Sequence, residues 1–352
     1  MTTPALLRLR ETFPAAHIAL LTPWKLRDLW LHHPAVNEVV SFAPGETVFS
    51  TGKKLRAGNF DLALVLPNSP RSALEVWLAG IPRRIGYARP WRNWFLTQTV
   101  PSRPEVVKMH KRSVGEIKRL VADADQSQTG GTPALLSSAH QMHEYLHLLA
   151  VLGASPEPLP PQLFVTPDET EAARKKFGLE KITGPVFGLN PGAEYGPAKR
   201  WPVEKFITAA REIQDRTGCA WLIFGGKGDV AIASQIASAI HDSRFTIHDV
   251  SGRTSLRELM ALLKLCRVLL TNDTGPMHAA AALGTPVVVP FGSTSPELTG
   301  PGLPGDPRHR LLKSGAPCSP CFLRECPIDF RCMNGIGVER VVEAALELAS
   351  KF

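Results

Sequence analysis

Val268-Leu269-Leu270-Thr271-Asn272-Asp273-Thr274-Gly275-Pro276-Met277-His278 changes character halfway along. Val268–Thr271 is a short apolar run that reads as a buried strand, and Gly275-Pro276 opens a helix predicted over Pro276–Leu283. The same passage recurs at Val186–Leu189, which runs through Asn190-Pro191-Gly192-Ala193-Glu194-Tyr195-Gly196-Pro197-Ala198-Lys199-Arg200-Trp201-Pro202 into a helix over Val203–Arg216. Trp221–Phe224 and Val287–Pro290 add strands, and Val230–Ile240, Leu256–Leu265 and Val338–Ala349 add helices. Strands alternating with helices predict a parallel sheet covered on both faces.

The first half keeps the same rhythm. Ile18–Leu21, Val39–Phe42 and Leu62–Leu66 read as strands, with helices over Lys25–Leu31, Phe49–Arg56 and Ser72–Leu78. Met142, Leu146 and Leu149 mark another helix before Gly153. Ser155-Pro156-Glu157-Pro158-Leu159-Pro160-Pro161 cannot continue a helix, because proline lacks the amide donor and clashes with the preceding turn. It reads as a linker between an N-terminal domain, 1–160, and a C-terminal domain, 161–352. The predicted fold class is α/β, two Rossmann-like domains facing a cleft. Thr3-Pro4 lead directly into a helix over Ala5–Thr12, whereas doubly wound domains normally begin with a strand. The first strand of the N-terminal domain and its loop are therefore expected to be missing, with Met1 an internal methionine.

With 44% hydrophobic and 20% charged residues in 352, the composition is that of a globular chain with room for two cores. No apolar run approaches the ~18–20 residues of a membrane span, and Met1–Ala5 lacks a signal-peptide pattern. The expectation is a cytoplasmic protein. A formal charge of +8 favours an anionic partner. Nucleic acid is not the expected one, since no recognition motif accompanies the charge.

Two loops carry the chemistry. Lys199 and Arg200 beside a helix start make a site for phosphate oxygens, although an ordinary turn with solvated basic residues has the same sequence. In the second loop Thr274, Gly275 and the first helical amides suit a pyrophosphate, with His278 one turn on. Asp273 would repel phosphate, so it reads as a helix cap or an acceptor from sugar hydroxyls. His278 could equally be a buried histidine satisfied by backbone. Both loops fall at carboxyl ends of strands, where open α/β sheets place ligands. Phe224-Gly225-Gly226-Lys227-Gly228-Asp229 and Ser251-Gly252-Arg253-Thr254-Ser255-Leu256 are further strand-end loops, with Thr254 read as a cap. None matches a dinucleotide fingerprint or a Walker A loop, and no cofactor is expected.

Asn68, Ser69, Arg71, Arg83, Arg84, Arg89 and Arg92 could meet phosphate or carboxylate groups, or could be a solvated basic face. Trp91, Trp94 and Phe95 among them could touch a membrane surface or pack in the core. Cys318, Cys321, Cys326 and Cys332 are spaced Cys-x2-Cys-x4-Cys-x5-Cys, which could bind zinc but is not a zinc-ribbon spacing. Reduced structural thiols or a redox-sensitive pair fit as well. Cys219 and Cys266 read as core.

The runs GAEYGPAKRWP, NDTGPMHAAAALGTPVVVPFGSTSPE and CSPCFLRECPIDFRCM, with NSPRSALEVWLAGIPRRIGYAR in the first half, resemble the glycosyltransferase family 9 heptosyltransferases of the lipopolysaccharide heptosyltransferase II type. The resemblance spans nearly the whole chain. It implies a GT-B fold and inverting transfer of heptose from ADP-L-glycero-D-manno-heptose to the lipopolysaccharide inner core, at the cytoplasmic face of the inner membrane. By position it implies that Lys199 contacts the donor phosphates, that Asp273, Thr274, Gly275 and His278 hold the pyrophosphate and sugar, and that Thr254 lies near the adenosine. Asn68, Ser69, Arg71, Arg84 and Arg89 fall on the acceptor side. The family's general base is an aspartate in an N-terminal Gly-Asp loop, and no residue of this chain occupies that position. A nucleotide-sugar-binding protein without turnover, or a GT-B nucleotide-sugar epimerase, would share the donor loops.

Overall fold

The computed structural model describes residues 1–126, 137–241 and 246–352. The chain divides into two compact units, Met1–Val107 with Ser138–Phe164, and Lys108–Ser137 with Val165–Phe352. Among the described residues no helix is long and apolar enough to cross a membrane.

The chain opens with helix α1 (Thr3–Thr12), strand β1 (Ala19–Pro23) and a 3₁₀ helix (Trp24–Trp30) where a helix over Lys25–Leu31 is predicted. β2 (Glu38–Phe42), α2 (Val48–Ala57), β3 (Leu62–Val65), α3 (Pro70–Leu78), β4 (Arg83–Tyr87) and β5 (Gln98–Val100) follow. β1 pairs in parallel with β2, and β3, β4 and β5 form a separate three-stranded parallel sheet. The break falls between β1 and β3, yet the same helices serve both pieces. Leu9 of α1 packs with the cluster holding Leu20 and with that holding Leu64 and Leu66. On α2, Leu55 shares a cluster with Leu21 and Val40 from one piece and Val65 from the other.

After β5 the chain enters α4 (Val114–Gln126), which belongs to the second unit, and returns for α5 (Met142–Ala150). This corrects a single boundary near residue 160. Ile117 and Val121 insert into the second unit's core, and Arg112 N donates to Cys321 O at 3.1 Å. The predicted linker stays with the first unit, where Glu157 O accepts from Arg8 and Gln162 N donates to Thr3 Oγ1.

The second unit continues with α6 (Pro167–Lys176), β6 (Val186–Asn190), α7 (Val203–Thr217), β7 (Ala220–Ile223), α8 (Val230–Ile240), β8 (Ile247–Asp249) and α9 (Leu256–Leu265). Then come β9 (Val268–Thr271), α10 (Gly275–Ala282), β10 (Val287–Pro290), α11 (Pro296–Thr299), β11 (His309–Leu312), α12 (Arg331–Asn334) and α13 (Val338–Lys351). The six strands form one parallel sheet in the order β11-β10-β9-β6-β7-β8. Phe187, Leu189, Trp221, Ile223, Val268 and Leu270 join the core with α7, α8 and α13. The intervening Leu222, Leu269 and Val289 are equally buried, so both faces are covered and the strands read as unbroken apolar runs. On α7 the buried Phe206, Ala209, Ala210 and Ile213 follow helical spacing, and Gly218 ends the helix at φ +65, a conformation that favours glycine.

Candidate functional site

Strand order in the second unit reverses between β6 and β9, and that switch point is where an open α/β sheet leaves a crevice for ligands. The loops after β6 and β9 flank it. Two buried asparagines hold them together. Asn190 Nδ2 donates to Thr271 Oγ1 at 3.0 Å, while Asn272 Nδ2 donates to Pro191 O at 2.7 Å and its Oδ1 accepts from Trp201 N at 2.9 Å. Both loop backbones are thus fixed before any ligand arrives.

Upon this frame Lys199 and Asp273 meet. Lys199 Nζ lies 2.6 Å from Asp273 Oδ2, and Thr294 Oγ1 donates to the same oxygen at 2.6 Å. The lysine side chain is 14% exposed and the aspartate 4%, so the lysine is the member that still reaches solvent. Its ammonium also sits 4.9 Å from the Tyr195 ring centre, and Tyr195 OH donates to Phe322 O. Asp273 does not cap α10, since Thr274 holds the cap position; one of its carboxylate oxygens, Oδ2, is engaged by Lys199 and Thr294. Thr274 is the residue before α10 and makes no side-chain capping bond; Gly275 and Pro276 form the first turn, with His278 half-buried behind them.

The neighbouring loops are braced by contacts that the sequence alone did not single out. Asp229 accepts from Gly226 N at 3.0 Å and lies 3.6 Å from Arg200. A Cβ on Gly192 would fall 2.4 Å from the Asp229 carboxylate, so only glycine lets that carboxylate lie against the β6 loop. The clue was the glycine itself, in a loop with no other need of one. Thr254 lies half-buried one residue before the true cap of α9. Ser255, not Thr254, accepts from Glu258 N, and Glu258 returns the bond to Ser255 N, because only Ser255 has a glutamate three residues on.

The cysteine segment sits behind Lys199. Cys318, Cys321, Cys326 and Cys332 line a small apolar cavity with Ala198 and Ser293, and Arg324 O accepts from Ala198 N at 2.9 Å. Gly196, at φ +151, admits that carbonyl, which a Cβ would approach to 2.5 Å. All six cysteines are free. Burial pushes the Cys332 thiol up to about 12 and raises Cys318 and Cys321, with the neighbouring sulfurs adding to the effect. Among the described residues no three His, Cys, Asp or Glu side chains are arranged to hold a metal ion. A protonated thiol is a small apolar group and suits a dry cavity behind the loop.

In the first unit the arginines are less available than their number suggests. Arg84 spends its guanidinium on Phe95 O and Ile81 O. Arg92 is fully buried and donates to Asn68 Oδ1 and Val65 O. Arg71 pairs with Glu75 and donates to Glu46 O, and Arg89 donates to Ala88 O and Ser102 Oγ. Ser69 caps α3 by accepting from Ser72 N. These side chains organise the strand-end loops of their own unit.

The family described as glycosyltransferase family 9 (heptosyltransferase) matches residues 48–330. Lipopolysaccharide heptosyltransferase 2 of Escherichia coli K12 is 30% identical over 83% of this chain and 79% of that protein. Lipooligosaccharide heptosyltransferase 2 of Haemophilus ducreyi is 32% identical over 84% and 80%. A solved structure of E. coli ADP-heptose LPS heptosyltransferase II superposes with a TM-score of 0.74 at 26% identity, covering 99% of this chain and 94% of that one. A family 9 structure from Veillonella parvula gives 0.78 at 21% identity over 100% and 93%, a likeness of fold. With two Rossmann-like α/β units of GT-B class and a family match over most of its length, this chain belongs to glycosyltransferase family 9, the heptosyltransferases.

Proposed function

We propose that the chain transfers heptose from ADP-L-glycero-D-manno-heptose to the heptosyl-Kdo-lipid A inner core of lipopolysaccharide, with inversion and at the cytoplasmic face of the inner membrane. The observation that carries this reading is the Lys199–Asp273–Thr294 cluster at the switch point of the second unit's sheet. As the acceptor hydroxyl attacks the anomeric carbon and loses its proton to solvent, the bond to ADP breaks and negative charge grows on the pyrophosphate. Lys199, held in place by Asp273, and the first amides of α10 would stabilise that charge, the kind of term in which preorganised electrostatics contributes most. Asp273 offers its second carboxylate oxygen to sugar hydroxyls, Thr274 and Gly275 approach the pyrophosphate, His278 stands behind them, and Thr254 lies toward the adenosine. On the acceptor side Asn68, Ser69, Arg71 and Arg89 are the polar groups offered to Kdo and phosphate.

Calorimetric titration of ADP and ADP-heptose tests the donor half of this reading. Lys199→Ala should weaken both ligands and Thr294→Val should weaken ADP-heptose. Unchanged binding by folded variants would sink the donor site. Mixing ADP-heptose with heptosyl-Kdo-lipid A then tests transfer: heptosylated lipid plus ADP is expected. Donor binding without product would favour a nucleotide-sugar-binding protein, and an epimerised nucleotide sugar would favour the epimerase.

A further inference from the structure

The first unit turns large aromatic side chains to solvent. Trp94 is 90% exposed, Trp91 84%, Phe49 71% and Trp77 47%. Trp24, 59% exposed, lies apart in the first 3₁₀ helix, whereas Phe49, Trp77 and Trp94 sit on elements that touch one another, with Trp91 three residues before Trp94. Gly52 of α2 backs onto α3, where a Cβ would meet Leu78, and Arg56 Nη2 donates to Leu78 O at 2.5 Å. Phe49, Lys53 and Arg56 are therefore a helical stripe beside the C-terminal end of α3. Trp77 lies on α3, and its ring contacts Phe95 at 5.7 Å, which joins α3 to the 3₁₀ turn Asn93–Phe95 that carries Trp94.

The two most exposed tryptophans are held out by a rigid support. Between them Arg92 points inward, fully buried, bonded to Asn68 and Val65, and packed over Gly86 so closely that a Cβ there would lie 2.8 Å from its Nη2. Trp91 itself takes φ +62, a conformation that costs energy for a bulky residue.

Charge identifies the occupant. Between Phe42 and Val100 the sequence holds eight basic residues, of which only Arg92 is buried, and three acidic ones, a net +5 out of +8 for the whole chain. Two of those carboxylates, Glu46 and Glu75, are already paired with Lys54 and Arg71. Tryptophan rings favour the interface between lipid headgroups and acyl chains, and basic side chains beside them favour anionic lipid. We propose that Phe49, Trp77, Trp91 and Trp94, with Lys53 and Arg56, are a docking surface for an anionic phospholipid bilayer. A second protein would fit the aromatic groups but leaves the concentrated positive charge without a purpose. The proposal does not depend on the donor chemistry, because it concerns bare lipid.

Flotation of the full chain with vesicles of phosphatidylcholine, alone or mixed with phosphatidylglycerol and free of glycolipid, tests it. The chain should bind the mixed vesicles, more weakly as salt rises, with a blue shift of tryptophan emission. Trp91→Ala/Trp94→Ala should weaken binding about tenfold, in line with the apolar area withdrawn. Lys53→Gln should weaken it about fivefold, the effect of one basic side chain at an anionic surface. Phe352→Ala, exposed on the second unit, should leave it unchanged, and melting curves establish that each variant folds. Absence of binding to mixed vesicles overturns the proposal, as does binding that the tryptophan pair does not affect. Self-association that the pair abolishes, without lipid binding, overturns it in favour of a second copy.

Discussion

Every residue of β7, β9 and β10 in the second unit is buried, whereas β1 and β2 in the first contain one buried residue between them. The second unit's sheet is continuous over six strands; the first unit's is divided between β1 and β3. Both are made of parallel strands and covering helices, so local preference does not explain the difference. An unbroken parallel sheet buries both faces and satisfies its backbone groups sideways. A divided one leaves two inner edges whose groups find no strand and whose side chains pack less deeply. The unit with the rigid sheet carries the buried Lys199–Asp273 pair, and the other carries the exposed aromatic and basic surface.

The sharpest way to break this comparison is at the pair itself. Lys199→Ala leaves the Asp273 carboxylate buried with Thr294 alone, and loss of one partner of a buried pair costs about 3–5 kcal/mol. Urea unfolding should place that loss in the second unit; a loss below 1 kcal/mol would mean water already reaches the pair. Next comes the strand cores. Leu222→Ala in β7 should cost about 3 kcal/mol and Leu20→Ala in β1 about 1–2, because Leu20 is only half-buried. Equal costs would show the two sheets to be equally well packed. Hydrogen exchange read by peptide should likewise open β1 and β3 before β6 and β9.

Acid gives a smaller effect, shared between the units. Burial holds His33 in the first and His309 in the second down at about 4, below the ordinary 6.5. As pH falls from 6.5 to 4 the unfolded chain takes up protons that the folded one refuses, so stability present above 6.5 is lost across that window. Melting temperatures of His33→Gln and His309→Gln should depend less on pH there; unchanged slopes would assign the acid response elsewhere. Smallest are the caps. Thr47→Ala on α2 and Ser255→Ala on α9 should each cost about 1 kcal/mol, since each removes the side-chain acceptor of one first-turn amide while Ser255 N keeps its bond to Glu258.

What could be read in advance follows the same physics. β6, β7, β9 and β10 were legible as Val-, Ile- and Leu-rich runs because they occupy the middle of a sheet covered on both faces. β5 (Gln98-Thr99-Val100), β8 (Ile247-His248-Asp249) and β11 (His309-Arg310-Leu311-Leu312) were not, since each is an edge strand and its polar residues can face water. β4 was hidden by Arg83 and Arg84, which reach outward to Gln98 and to backbone carbonyls. For the loops after β6 and β9, positions came from the sequence, as the strand-to-glycine-to-helix passage is local. Partners did not. Lys199 and Asp273 are 74 residues apart, Asp273 and Thr294 are 21 apart, and Asp229 reaches its glycine neighbour across the sheet.

Strand runs, helix starts and the family pattern are properties of a few consecutive residues, and the sequence alone determined them, along with the concentration of positive charge before Val100. Which charges meet, which arginine turns inward and which tryptophan outward, and that four cysteines line one cavity, were decided only by the tertiary structure. Those outcomes depend on burial and on approaches of a few ångströms between segments far apart in the chain, and no local pattern records either.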